Sequence, residues 1–353
     1  MNHIFVADIH IGNHKAFGGR LVGGLNERCT RAIRTLERAL RLTAERKATC
    51  VILGDLFDTA ALSPPIVAAV MDVIERFERV PVIIILGNHD QGSDDPGDHA
   101  CGPLEYLPNV RILSSIGCDE ELLLLAYQKG DAREWLPPLV EKEVRSRACT
   151  TKVLGLHLGL IGDTTPPWLH HVHDAIEIAA LHPVMKACGI EVVIAGNWHD
   201  TRSTVYDGIT YIQCGTLCPT GFDNPGGLTP GRYGSVWHLS RTDRSRHEVP
   251  GPRFVLVEGE AALALAARQA KEAGHDLYVT WAVAPDQIPD ALRVASGFPD
   301  VRARVVGALS EQPSDLPAHT PTTRDEALVE YVRKTSPPEI VNDVLTTARD
   351  LLR

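Results

Sequence analysis

Five short apolar runs in the first 200 residues are each followed at once by a residue that can hold a cation, and most of them close on Ala or Gly. Ile4-Phe5-Val6-Ala7 leads to Asp8, Val51-Ile52-Leu53-Gly54 to Asp55, and Val82-Ile83-Ile84-Ile85-Leu86-Gly87 to Asn88. Val153-Leu154-Gly155-Leu156 leads to His157, and Val192-Val193-Ile194-Ala195-Gly196 to Asn197. Continuous runs of this length, rich in Val and Ile, read as strands buried on both faces. Helical patterns lie between them. Residues 26–47 put Ile33, Leu36, Ala39 and Leu40 on one face and Arg and Glu on the other. Residues 66–79, opened by Ser63-Pro64-Pro65, then 131–147 and 174–188, give three more. Strands alternating with helices predict a layered α/β fold, and the polar residues after the strands are expected to converge along one edge of one sheet.

From 203 to 257 the texture changes to short strands at 204–206, 209–213, 234–239 and 253–257, around a Gly- and Pro-rich loop at 215–234. Beyond Val257, helix 260–273, strand 277–282, helix 287–296 and strand 300–307 predict a small α/β cap. The predicted organisation is a main domain over 1–257, a cap over 258–308, a linker over 309–322 and a helical segment over 323–353 broken at Ser336-Pro337-Pro338. A chain of 353 residues can bury a core without disulfides. None of its eight cysteines forms a C-x-x-C pair, and several sit in apolar segments. They read as reduced core thiols of a cytoplasmic protein, with a zinc site at Cys214 and Cys218 as the alternative. No apolar run is long enough for a membrane span, and the opening residues lack the basic region of a signal peptide. The net charge of -10 by itself argues against a nucleic-acid binder. Carboxylates gathered to hold cations, however, also make a chain acidic.

The strand-end residues form five groups: Asp8-Ile9-His10, Gly54-Asp55, Gly87-Asn88-His89-Asp90, His157 and Asn197-Trp198-His199. Carboxylate, amide oxygen and imidazole together suit Mn²⁺, Mg²⁺, Fe²⁺ or Zn²⁺. Glycines before Asp55, Asn88 and Asn197 permit tight turns and close backbone approach. Two cations about 3.5–4 Å apart need a shared ligand, and Asp55 is the natural bridge. Any one group could be an ordinary histidine or carboxylate; five in order at strand ends point to a metal site.

This pattern resembles the calcineurin-like metallophosphoesterase superfamily: D-x-H, G-D, G-N-H-[DE], a lone His, then G-H-x-H. Within it the chain most resembles the nuclease subunit of the SbcC–SbcD complex, through Gly54-Asp55-Leu56-Phe57-Asp58-Thr59, Gly215-Thr216-Leu217 and the strand 253–257 that enters the cap. Gly24-Leu25-Asn26-Glu27-Arg28 and the stretch 215–226 look like phage-encoded members. The resemblance implies a layered calcineurin-like sandwich with a C-terminal cap. It also implies a hydrolase that cleaves DNA phosphodiester bonds, as exonuclease or endonuclease, with a water activated by two metals. Mn²⁺ comes first among those metals, with Mg²⁺, Fe²⁺ or Zn²⁺ as alternatives. Asp8, His10, Asp55 and His199 would hold one metal; Asp55, Asn88, His157 and Asn197 would hold the other. His89 would stabilise the transition state or protonate the leaving oxygen, and Asp90 would orient its imidazole or serve as a helix N-cap or turn residue. The family usually has His where this chain has Asn197. The implied partners are DNA, an SbcC-like ATPase docked on the C-terminal helices, and a second copy of the chain. The setting would be DNA repair, recombination or replication in the cytoplasm, the host's if the chain is phage-encoded.

Other residues carry weaker signals. Asp58 reads as a helix cap or a support to the ligands, and His14 as an exposed loop residue or a further candidate near the site. His170-His171-Val172-His173 could be a metal tract or a solvated loop. Lys15, Arg20 and Arg28, with Arg31 and Arg34, could contact DNA phosphates or line a solvated helix. Trp168 and Trp198 could stack on bases or pack. Two alternatives stand beside the nuclease: a phosphodiesterase or phosphatase for small nucleotides, and a weakly catalytic scaffold that binds DNA ends.

Overall fold

The computed structural model describes residues 2–93, 95–146, 151–165, 172–221, 228 and 233–307. Cys149, Trp168, His170, His171, much of the Gly- and Pro-rich loop, the linker and the segment 323–353 lie outside the described residues. Residues Met1–Gly307 form one compact unit.

The strands in chain order are β1 (Asn2–Val6), β2 (Thr49–Leu53), β3 (Val82–Ile85), β4 (Val110–Leu113), β5 (Ile116–Asp119), β6 (Leu122–Leu125), β7 (Val153–His157), β8 (Gly159–Ile161) and β9 (Ala175–Glu177). They continue as β10 (Val192–Gly196), β11 (Arg202–Tyr206), β12 (Ile209–Gln213), β13 (Ser235–Ser240), β14 (Arg244–Glu248), β15 (Pro252–Val257), β16 (Asp276–Val283) and β17 (Val301–Gly307). The helices are α1 (Glu27–Arg46), α2 (Pro64–Glu75), α3 (Ala132–Ser146), α4 (Ile178–Ala187), α5 (Glu260–Ala273) and α6 (Ile288–Ala295).

Two six-stranded sheets form the body, ordered β14-β13-β1-β2-β3-β4 and β11-β12-β10-β7-β6-β5. β1 through β4 run parallel, as do β6, β7, β10 and β12. Their inner faces pack together in one core that holds Phe5, Leu53, Ile85, Leu124 and Ile194. Helices α3 and α4 cover the outer face of the second sheet through Leu136, Val140, Leu181 and Met185. The expected layered α/β sandwich is therefore the observed fold. The strand-end residues do not share one sheet, however. Asp8, Asp55 and Asn88 follow strands of the first sheet, whereas His157, Asn197 and His199 belong to the second. Apolar runs reveal strands buried on both faces, but not which strands pair.

Helix α1 shows how local chemistry sets an element. Asn26 caps it by accepting from Cys29 N at 2.8 Å, a cap that contributes about 1 kcal/mol. Ala32, Ile33, Leu36, Ala39 and Leu40 form the buried stripe, and Lys47 ends it with φ 50. Two helix expectations shift. Residues 174–188 begin as β9, because Ala175 and Ile176 pair with β8 before α4 starts. α2 opens earlier, at Pro64, and ends at Glu75. Strands β4, β5, β6, β8 and β14 had no expectation. The cap sheet is parallel, ordered β15-β16-β17, with α5 and α6 crossing between the strands. The 253–257 strand thus pairs within the cap sheet. Phe17, from the loop after β1, meets both Phe254 and Tyr278 of that sheet edge-on.

Candidate metal centre

Four residues of the centre have backbone angles that side chains rarely adopt: Asp8 (φ 52), His10 (φ 49), Asp55 (φ 51) and Asn197 (φ 79). Each such residue costs about 1–3 kcal/mol and persists only where its surroundings dictate it. Here the surroundings are hydrogen bonds that lace the strand ends together. Asp8 N donates to Gly54 O at 3.2 Å, and Ile9 N and His10 N donate to Asp55 O at 2.8 and 3.0 Å. The Thr216 hydroxyl donates to Asp8 O at 2.6 Å. Asn197 N donates to both oxygens of Asp8 at 3.0 and 3.1 Å. Close approach also needs glycine. A Cβ on Gly54 would stand 2.2 Å from His157 Nδ1, and one on Gly87 would stand 2.1 Å from Asp55 Oδ1.

The side chains then point electron pairs at one another. His157 Nδ1 donates to Leu53 O at 2.7 Å, so its Nε2 is the lone-pair end of the neutral ring. That Nε2 lies 3.0 Å from Asn88 Oδ1 and 3.5 Å from Asp55 Oδ2. His10 Nε2 lies 3.1 Å from His199 Nε2 and 3.7 Å from Asp55 Oδ2. Three acceptor atoms, His157 Nε2, Asn88 Oδ1 and Asp55 Oδ2, converge, and a proton or a cation among them relieves their repulsion. His10 and His199 can share one N–H between their facing nitrogens. Asp8, His10 and His199 form one compact ligand group, and Asp8, Asp55 and His157 another. The donor set of carboxylate, imidazole and amide oxygen fits divalent cations.

The ionisation of these groups tells the same story. Burial pushes the Asp8 carboxyl up to about 8. Burial would also raise Asp55, but His157 and His10 hold its carboxyl well below the usual range. Burial would lower His157, yet the Asp55 and Asp8 carboxylates push it up to about 10. His10 falls to about 3 through burial, helped by His199 and His89. Without a cation, a proton on His157 fills the gap.

His89 stands exposed beside the buried ligands, its ring edge-on to His10 at 4.9 Å. Its Nδ1 bonds Asp58 O at 2.8 Å, and its backbone N donates to Asp55 Oδ1 at 3.0 Å. The role of orienting this imidazole therefore falls to Asp58 and not to Asp90. The buried Asp90 carboxylate accepts from Phe57 N and Gly87 N, both at 3.0 Å, which makes it the turn residue of the loop. Asp58 does not cap a helix either, since α2 starts only at Pro64. Its carboxylate lies 3.8 Å from His10 Nδ1 and 3.4 Å from His14 Nδ1. His14 is half-buried, with Nε2 on His10 O at 2.9 Å. Sequence reasoning missed Asp174, which accepts from the Asn197 amide; no apolar run precedes it to mark it.

The DNA candidates divide. Lys15, Arg20 and Arg34 are exposed. Arg28 is buried, donates to Ala16 O and Thr220 O, and lies over the Phe254 ring, so it is a structural tie and not a phosphate contact. Arg31 faces Asp276 at 3.4 Å. Trp198 packs against Gly159 and carries the Arg202 guanidinium 5.2 Å above its ring. Cys214 and Cys218 turn their thiols to different carbonyls, Phe5 O and Ala32 O. Among the described residues no helix is long and apolar enough to cross a membrane.

A family model described as calcineurin-like phosphoesterase matches residues 1–200. No curated protein matches the chain. Among solved structures, an archaeal phosphodiesterase is 15% identical, with 70% of this chain and 99% of that chain covered at a TM-score of 0.35. The GAP50 anchor of the inner membrane complex of Plasmodium is 11% identical, with 70% and 84% covered at a TM-score of 0.40. Phosphopantetheinyl hydrolase from Mycobacterium tuberculosis is 11% identical, with 61% and 89% covered at a TM-score of 0.33.

Proposed function

The chain belongs to the calcineurin-like phosphoesterase family, and from that premise we propose that it is a metal-dependent DNA phosphodiesterase of the SbcD type, working with an SbcC-like ATPase. The observation that carries the phosphoesterase chemistry is the cluster of cation-ligating side chains from both sheets around Asp55, with exposed His89 at its rim. Asp8, His10, Asp55 and His199 would hold one divalent cation, and Asp55, Asn88, His157 and Asn197 a second. When bound, the pair would supply Lewis acidity and a water nucleophile at neutral pH. His89 donates its Nδ1–H to Asp58 O, so Nε2 is the acceptor end of the neutral ring, and the ring would give a proton to a leaving oxygen from Nε2 as the imidazolium. Support for a polymeric substrate comes from the cap, since a small-nucleotide enzyme has no need of an added βαβαβ layer. Exposed Lys15 and Arg20, in the loop between the D-x-H residues and α1, would meet phosphates.

The test is cleavage of end-labelled linear and single-stranded DNA by the pure protein in Mn²⁺, with EDTA and His89→Ala as controls. Bis(p-nitrophenyl) phosphate is the small-molecule comparison. DNA cleavage that EDTA abolishes, and that His89→Ala lowers by about 10²–10⁴-fold, is expected. Turnover of the small diester without DNA cleavage, with or without an added SbcC-like ATPase, would replace the nuclease by the small-nucleotide enzyme.

A further inference from the structure

Asn197 presents an ambiguity that the fold resolves. An amide side chain has a donor end and an acceptor end, and only the acceptor end can hold a cation. Asn197 Nδ2 lies 3.2 Å from Asp174 O and 3.0 Å from Asp174 Oδ2. A backbone carbonyl and a carboxylate oxygen both accept, so only the NH₂ end can face them. Oδ1 is thereby the end turned away from Asp174. Asp174 is itself fixed. It directly precedes β9, and its carbonyl also accepts from Gly159 N at 2.9 Å, next to the strand pairing of β8 with β9. On the other side, the Asn197 backbone is pinned to Asp8 through its N–H. Main chain and side chain of Asn197 are thus both constrained before any ligand arrives.

We propose that Asp174 is a positioning residue for the metal centre, holding Asn197 so that its amide oxygen is presented as a ligand and biasing the second site toward hard cations such as Mn²⁺ over Zn²⁺. The inference rests on the metal-centre reading above. A support that orients a ligand typically contributes 10–100-fold in metal affinity.

The experiment is calorimetric titration of the EDTA-stripped full-length protein with Mn²⁺ and, separately, Zn²⁺. Wild type, Asp174→Ala, Asp174→Asn, Asn197→His and the two double variants are compared. Wild type is expected to bind two Mn²⁺. Asp174→Ala should weaken one of the two by about 10–100-fold and leave the other unchanged. Asp174→Asn, which keeps a carbonyl acceptor, should lose about 3–10-fold. Asn197→His should gain Zn²⁺ affinity relative to Mn²⁺, and in that background the Asp174 changes should cost less than about 3-fold, because a neutral imidazole can place its lone pair on either ring nitrogen whereas an amide has one acceptor end. Equal losses in both backgrounds, or no loss in either, would overturn the proposal. If Asp174→Ala does not fold, Asp174→Asn in the two backgrounds decides the same question. Absence of Mn²⁺ binding by wild type would instead overturn the metal centre itself, and the proposal with it.

Discussion

Gly87→Ala tests whether the close packing behind Asp55 is what sets the site. The new Cβ would stand 2.1 Å from Asp55 Oδ1, 2.4 Å from its backbone N and 2.8 Å from its Cγ. Ordinary Cβ contacts begin at 3.4 Å, so the carboxylate or the loop must shift by about 1 Å. Asp55 has little freedom to give way, since Oδ1 accepts from His89 N at 3.0 Å and Oδ2 faces His157 at 3.5 Å and His10 at 3.7 Å. Gly87 does not have a positive φ, so alanine adds no backbone strain of its own. Overpacking of this kind costs about 1–3 kcal/mol, and each kcal/mol lowers Tm by about 2–4 °C in a domain of this size class. A shift of 1 Å in a reacting group costs turnover about 10²-fold. The assay is Mn²⁺-dependent hydrolysis of bis(p-nitrophenyl) phosphate with a thermal melt alongside. Gly208→Ala is the control: Gly208 has φ 84 with nothing within 4 Å, so alanine there should lower Tm slightly and spare turnover. Wild-type turnover in Gly87→Ala would refute the reasoning.

Two further outcomes are expected. Ligands must be deprotonated to bind, and at pH 7 the metal-free protein carries protons on His157, raised to about 10, and on Asp8, raised to about 8. Metal binding should therefore release about one to two protons and weaken as pH falls; calorimetry in buffers of different ionisation enthalpy measures this, and zero release would contradict it. Arg28→Ala should destabilise the fold by about 1–3 kcal/mol and leave the salt dependence of DNA binding unchanged, whereas Lys15→Ala and Arg20→Ala should each reduce that slope by about 1. Arg28→Ala that lowers the slope without lowering Tm would restore Arg28 as a phosphate contact.

The metal-centre candidates were legible because buried parallel strands are written as apolar runs, and the residue after each run stands out against them. The cap was legible for the same reason: α5 runs over Glu260–Ala273 as its pattern predicts, and β16 and β17 lie within a residue of expectation. Pairing was not legible. The run before His157 reads like the run before Asp55, yet β7 and β2 sit in different sheets. Short strands such as β5, with Ile116-Gly117-Cys118-Asp119, carry too little apolar pattern to announce themselves. The supports were also hidden. Asp58 and Asp174 act through a carbonyl or an amide contact that only the fold brings about, and Arg28 was misread because a cation on a helix looks solvated until a carbonyl is found for it.

The division of ligands between two sheets has a mechanical meaning. Each sheet on its own presents an incomplete claw, and cations held between Asp8 or Asp55 on one side and His157 or His199 on the other would act as rivets across the sandwich. Sliding one sheet along the other would pull the claw open. Resistance to shear, and the order in which the two halves come apart under load, would then depend on what the seam holds.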